Sequence, residues 1–221
     1  MSVTSILQTA LLRFGQEPTN QRFADDFYNS INDAQYDFCT SRSWGFLRAS
    51  ATLTMTDSVQ YVALPSDFGK AYDIKGALKI TSPTANSGDN IDLMPYEQWL
   101  SSFYEDGTST GTPAYAWIQG ANIYFSATPD AAYKANLIYY KVPATIADSS
   151  GSITIPTHYQ EGLKKMMFRR LQDAGYSSVQ ELQISDADID RLIGNYARDD
   201  SRKYGAMSFN LPPNDYKQRT V

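Results

Sequence analysis

One histidine and one cysteine stand in 221 residues, and each scarcity excludes a class of chemistry. Cys39 has no second thiol for a disulfide, and one thiol with one imidazole makes no zinc cluster. Nothing in the chain therefore calls for an oxidising compartment. Imidazole does most general acid–base work near neutral pH, and metal sites usually take two or more of them. His158 alone offers little for either role. Long apolar runs are also missing: the longest are a few residues, against the ~20 that span a bilayer. Residues 1–14 are polar-flanked and helical, without the basic start and apolar core of a signal peptide, so export by that route is not expected. No P-loop or dinucleotide fingerprint occurs, and residues 107–111 (GTSTG) read as a loop with no helix behind it, hence no phosphate cradle.

What the chain does hold is a globular balance, with 42% hydrophobic and 19% charged residues. A monomer of this length buries about 70% of its unfolded surface, enough for a true core. Aromatics reach 13%, and 16 of them are tyrosine. Tyrosine fills β positions readily, but it also joins a large apolar face to a polar tip, as contact surfaces require.

Hydrophobic period divides the chain. Residues 1–45 have a helical period: Ile6, Leu7, Ala10, Leu11 and Phe14 share a face, and Gly15 supplies a stop. Asn20 is placed to cap a second helix, whose stripe is Phe23, Phe27, Ile31, Ala34 and Phe38. From residue 46 to 155 the period falls to two. Leu47, Ala49, Ala51, Leu53 and Met55 alternate with polar residues, and the turn at residues 56–58 predicts a hairpin with 59–64. A third strand is expected over 71–80, a short strand over 91–94 and a short helix after Pro95 carrying Trp99, Leu100 and Phe103. A hairpin over 115–126 turns at Gly120-Ala121, and 133–142 is the last strand. Residues 156–204 return to helix, first with Leu163, Met166, Met167 and Leu171 inward and Gly175 as the stop. A second helix restarts at Ser185 with Asp188 as its capping partner, with Leu182, Ile189, Leu192, Ile193 and Tyr196 facing in.

The expected fold is α+β. Residues 1–45 and 156–204 form a helical bundle built from both chain ends, and residues 46–155 form an inserted antiparallel β domain, a sandwich or small barrel. Residues 205–221 form an extended C-terminal arm of ~55 Å reach. Phe209, Leu211, Pro212, Pro213 and Tyr216 make that arm too apolar for a solvated tail, so they are the candidate partner-binding residues.

Other constellations have plainer readings. Asp186, Asp188 and Asp190 resemble the start of a calcium loop, but Arg191 and Ala197 stand where Gly and Glu are needed. Acidic residues favoured at a helix N-terminus explain them better. Lys164, Lys165, Arg169 and Arg170 form a basic cluster that faces phosphate or, more simply, solvent and acidic neighbours. Cys39 is a small apolar filler, and His158 a surface or capping residue. Net charge is -5 in all; residues 51–157 carry 5 basic and 10 acidic groups, so the acidity sits in the β region. No catalytic, metal or cofactor site is expected.

The order of certain stretches resembles the head-to-tail adaptor (connector) proteins of short-tailed bacteriophages. These are residues 31–44 (INDAQYDFCTSRSW), 61–68 (YVALPSDF), 112–125 (TPAYAWIQGANIYF), 137–143 (LIYYKVP) and 155–162 (IPTHYQEG). The resemblance implies a structural, non-enzymatic virion protein that forms a ring with itself, of twelve copies, joining the portal protein to a tail nozzle or tail tube protein. It implies a place at the virion neck after assembly in the host cytoplasm, with genomic DNA passing through unread by sequence and no membrane partner. The arm would then reach the portal or a neighbouring copy. The alternative from Trp99, Trp117 and the Tyr-rich strands is a carbohydrate-binding or adhesin-type β module. A carboxylate-dependent hydrolase is a distant third.

Overall fold

The computed structural model describes residues 2–73, 75–103, 109–178 and 184–204. Helix α1 (Val3–Phe14) starts where the Ser2 hydroxyl accepts from Ser5 N–H at 3.2 Å. It ends at Gly15, whose φ of 58° lets its N–H return to the Leu11 carbonyl. Helix α2 (Gln21–Thr40) is capped by Asn20, which accepts from Phe23 N–H at 3.2 Å. Its stripe of Phe23, Phe27, Ile31, Ala34 and Phe38 is fully buried, as the 4-4-3-4 spacing requires.

The other two long helices come from the far end of the chain. Helix α4 (Gln160–Asp173) follows a 3-10 turn at Thr157–Tyr159 and packs chiefly against α2. Helix α5 (Asp186–Tyr204) packs on α4 and on the 3-10 turn Gly45–Leu47. Ser185 and Asp188 form the expected cap: the serine Oγ accepts from Asp188 N–H at 3.2 Å and donates to its carboxylate at 2.8 Å. Leu182 lies outside the described residues. The helical core is strongly aromatic: Phe38 stacks on Trp44 at 4.8 Å, and Phe14 meets Phe168 edge-on at 6.0 Å. Phe168, not Met166, completes the buried face of α4.

Between α2 and α4 the chain builds one eight-stranded sheet. The strands are β1 (Arg48–Thr54), β2 (Tyr61–Ala63), β3 (Phe68–Ala71), β4 (Leu78–Ser82), β5 (Asn90–Leu93), β6 (Tyr115–Gln119), β7 (Asn122–Phe125) and β8 (Lys134–Lys141). Helix α3 (Tyr96–Phe103) sits between β5 and β6. The order β1-β8-β4-β5-β6-β7-β2 is antiparallel except at β5–β6. Strands β1 and β2 approach each other without a ladder among the described residues, so the sheet is a nearly closed barrel.

Two local expectations are corrected by this topology. The turn after β1 forms, with Val59 N–H donating to Thr56 O at 3.1 Å, but it is not a hairpin turn. Strand β1 pairs with β8 (Ala51 opposite Leu137) and β2 with β7 (Tyr61 opposite Tyr124). The run over 71–80 is likewise not one strand: β3 and β4 both pair with β8 along different parts of its length, and Gly76 turns between them at φ 79°. The hairpin β6–β7 stands as read, with Gly120 at φ 60°.

Strand β8 joins the two cores. Ala135, Leu137 and Tyr139 enter the barrel core with Leu78, Ile91 and Phe125, whereas Tyr140 belongs to the helical core. After β8 the chain returns beneath α2, where Asn32 and Gln35 hold it. Gln35 Nε2 donates to Ala144 O at 2.9 Å, and its Oε1 accepts from Thr154 N–H at 2.8 Å.

Candidate interaction surfaces

Strand register assembles a row of aromatic rings on the outside of the barrel. In β6 and β7, Ala116, Ile123 and Phe125 point into the core, so Trp117 and Tyr124 point outward. Tyr61, Tyr124 and Trp117 are direct cross-strand partners, one on each of β2, β7 and β6. Their ring centroids lie 5.6 Å (Tyr61–Tyr124) and 5.7 Å (Tyr124–Trp117) apart. Helix α3 lays Trp99 on Trp117 at 4.2 Å and Tyr96 on Trp99 at 5.8 Å, both stacked. Five rings thus form one continuous surface.

Its edges are open while its centre is dry. Tyr61 is 50% exposed, Tyr96 41% and Leu100 40%, but Trp117 only 4%. The four elements that carry the row (β2, α3, β6 and β7) contain no Lys or Arg, and Glu97 is their one charged residue. Rigid aromatics with few charges are the composition of an interface centre, not of an ordinary solvated face.

A second feature lies where the end of α2 meets the sheet. A groove of about 150 Å³ opens there, with Arg42, Lys70 and Lys141 around a floor of Leu47, Tyr140 and Val142. Gly69 makes the bulge on its rim: a Cβ there would stand 2.9 Å from Tyr140 O. Cys39 lines the same groove, yet burial pushes its thiol up to about 12, against the pull of Lys141. Such a thiol is inert packing at neutral pH.

The third feature is the end of α5. Gly45 lies so close to Tyr204 that an added Cβ would stand 2.5 Å from the tyrosine Cβ and Cγ. Gly45 N–H donates to Asp200 Oδ2 at 2.7 Å. Asp200 is 6% exposed, and desolvation raises its pKa despite that hydrogen bond and the nearby charges of Lys203 and His158. The last turn of α5 is thereby fixed to the segment that leads into β1.

Most other sequence candidates resolve into packing or pairing. Arg170 bridges to Asp33 at 3.6 Å and pairs with Asp37, both on α2; Arg169 pairs with Asp173 at 3.4 Å, and Lys164 with Glu161. Arg170 makes a helix–helix seam, while the Arg169 and Lys164 pairs lie within α4. Asp188 serves the α5 cap and Arg191, and no group of three or more His, Cys, Asp or Glu among the described residues is arranged to hold a metal. His158 is exposed and lies against Tyr159, their centroids 3.9 Å apart. Residues 107–111 spell G-x-S-x-G, but Ser109 and Gly111 bond to the backbone of Thr128 and a strand follows, not the helix of a nucleophile elbow. Phe209, Leu211, Pro212, Pro213 and Tyr216 lie outside the described residues.

Trp99 and Trp117 are visible in sequence as isolated aromatics, but Tyr61, Tyr96 and Tyr124 are not visible as their companions. Only the pairing of β2 with β7 puts Tyr61 in the row, and the expected hairpin hid that pairing. No described helix is long and apolar enough to cross a membrane. A family model described as SU10 adaptor protein matches residues 1–210, which takes in both the helical layer and the barrel. No curated protein matches the chain.

Proposed function

The chain belongs to the SU10 adaptor protein family of phage head–tail adaptors, structural proteins and not enzymes, and from that premise we propose that it closes into a ring of twelve copies joining portal to tail and extending the DNA channel. The observation that carries the reading is the match over residues 1–210, because it spans both layers of the fold in one piece. Portal protein on one side and a tail nozzle or tail tube protein on the other are its partners, at the virion neck, after assembly in the host cytoplasm.

The physical character of the chain supports this. A closed ring uses two different faces of each subunit, one meeting the other on the next copy. The aromatic row gives one rigid, charge-poor face. Strand β8 contributes to both cores, and the Asn32 and Gln35 amides hold the chain that leaves it against α2, so the two layers form one connected body. The net charge of -5, concentrated in the β region, suits a conduit that DNA passes without sticking, since Lys and Arg contacts to phosphate are what make DNA binding tight.

The carbohydrate reading loses its support at the same row. A sugar stacks on an open ring face, and Trp99 and Trp117 are already stacked on each other at 4.2 Å. Mass photometry of the chain mixed with the portal protein of its phage tests the proposal. Twelve copies of a 24.7 kDa chain add about 296 kDa to the portal, whereas an unshifted portal mass refutes the assignment.

A further inference from the structure

We infer that the aromatic row of β2, β7, β6 and α3 is the landing site for residues 209–216 of a second copy of this chain. The inference rests on the ring reading above, and it names which two faces meet. The row is charge-poor and rigid, and its open ends, Tyr61 and Tyr96 with Leu100 beside them, are the largest exposed apolar groups on the barrel. Residues 209–216 read FNLPPNDY. Pro212 and Pro213 each fix φ near -65°, and Leu211, before a proline, is held extended. That stretch prefers a polyproline II course of ~3.1 Å per residue, so eight residues cover ~25 Å. Pre-extended proline segments bind aromatic-lined surfaces because little chain entropy remains to be lost on docking.

Charge agrees with this pairing. Residues 205–221 carry Lys217 and Arg219 against Asp215 alone, and the single charge on the row is Glu97, next to Tyr96. Reach agrees too. Tyr204 is fixed on Gly45, and an extended chain carries Phe209, five residues on, ~17 Å and Tyr216, twelve residues on, ~40 Å from the end of α5. In a ring each row is offered its neighbour's arm at high effective concentration, so a contact of modest strength closes the circle. The family match ends at residue 210, so Leu211, Pro212, Pro213 and Tyr216 add to this chain a contact beyond the matched part.

The test uses the full chain carrying Ala63→Cys, on the outer face of β2 beside Tyr61, and Asn214→Cys, mixed with the portal protein and treated with a short bis-maleimide. Native Cys39 is buried and stays silent. Covalent multimers are expected on a denaturing gel. Adding Tyr61→Ser and Tyr96→Ser, or Pro212→Gly and Pro213→Gly, is expected to cut their yield about tenfold, with circular dichroism confirming that the fold is kept. Cross-links only within one chain, or none, overturn the inference. Sedimentation of the same sample separates the two levels: rings without inter-chain links sink the arm contact and leave the ring standing, and monomers without links sink both.

Discussion

Asn32 and Ile146 exchange two hydrogen bonds across 114 positions of sequence: Asn32 Nδ2 donates to Ile146 O at 2.9 Å, and Ile146 N–H donates to Asn32 Oδ1 at 2.8 Å. One turn further along α2, Gln35 does the same for the backbone at Ala144 and Thr154. These two amides replace a sheet or helix for the segment between β8 and α4. They tie this linker, whose Ile146 and Ile155 lie in the helical core, to α2 just beyond the end of β8.

Gln35 is 1% exposed, whereas Ala144 is exposed and Thr154 half-buried, so Gln35→Ala breaks both hydrogen bonds and leaves two backbone groups that water reaches in part. A hydrogen bond contributes about 0.5–1.5 kcal/mol net, so the variant, which loses two, is expected to lose about 1–3 kcal/mol by urea denaturation. A loss under about 0.5 kcal/mol would mean that the segment is held by Ile146 and Ile155 in the core instead.

Gly45→Ala places a methyl 2.5 Å from the Tyr204 side chain, and the end of α5 must move. Overpacking of this kind costs about 1–3 kcal/mol. Amide exchange in the last turn of α5 should quicken with it. An unchanged exchange pattern in Gly45→Ala would show that Gly45 and Tyr204 do not hold each other.

Asp200 sets a pH dependence of stability. Burial raises its carboxyl above the ordinary value of 3.8, so the folded chain prefers it protonated. Its contribution is fully present below pH 3.8 and is lost as pH rises through the raised value. Asp200→Asn carries an uncharged amide at every pH. Denaturation at several pH values from about 4 to about 7 should therefore show wild type losing stability relative to the variant as pH rises. A constant difference, or one of opposite sign, contradicts the burial argument.

With its pKa at about 12 and 4% exposure, the Cys39 thiol should not react with a maleimide in the native chain at neutral pH. One equivalent should react in denaturant. Rapid native labelling would mean that the groove between α2 and the sheet opens.

The helices were legible because their signals are local. The α2 stripe lies within one segment, and Asn20, Gly15 and Ser185 mark ends by chemistry that acts over three or four residues. The sheet was legible in content but not in pairing. A turn at Thr56 looks the same whether the next strand folds back on β1 or crosses to β7, and the choice is made by β8, about 80 residues further on. The same distance hid the aromatic row, since Trp117, Tyr124 and Tyr61 become neighbours only through register. The acidic partners of Arg170 were hidden for an equally non-local reason: Asp33 and Asp37 lie on a helix over 120 residues earlier.

The central claim is that this chain works as a connecting ring at the head–tail junction, and cryo-electron microscopy of the neck of intact virions tests it most directly. The account predicts a closed ring of twelve subunits between portal and tail, each resolving into a helical layer and a small barrel, around an open channel. Neck density that holds no such two-layer subunit, with the chain found elsewhere in the particle or not at all, would contradict it.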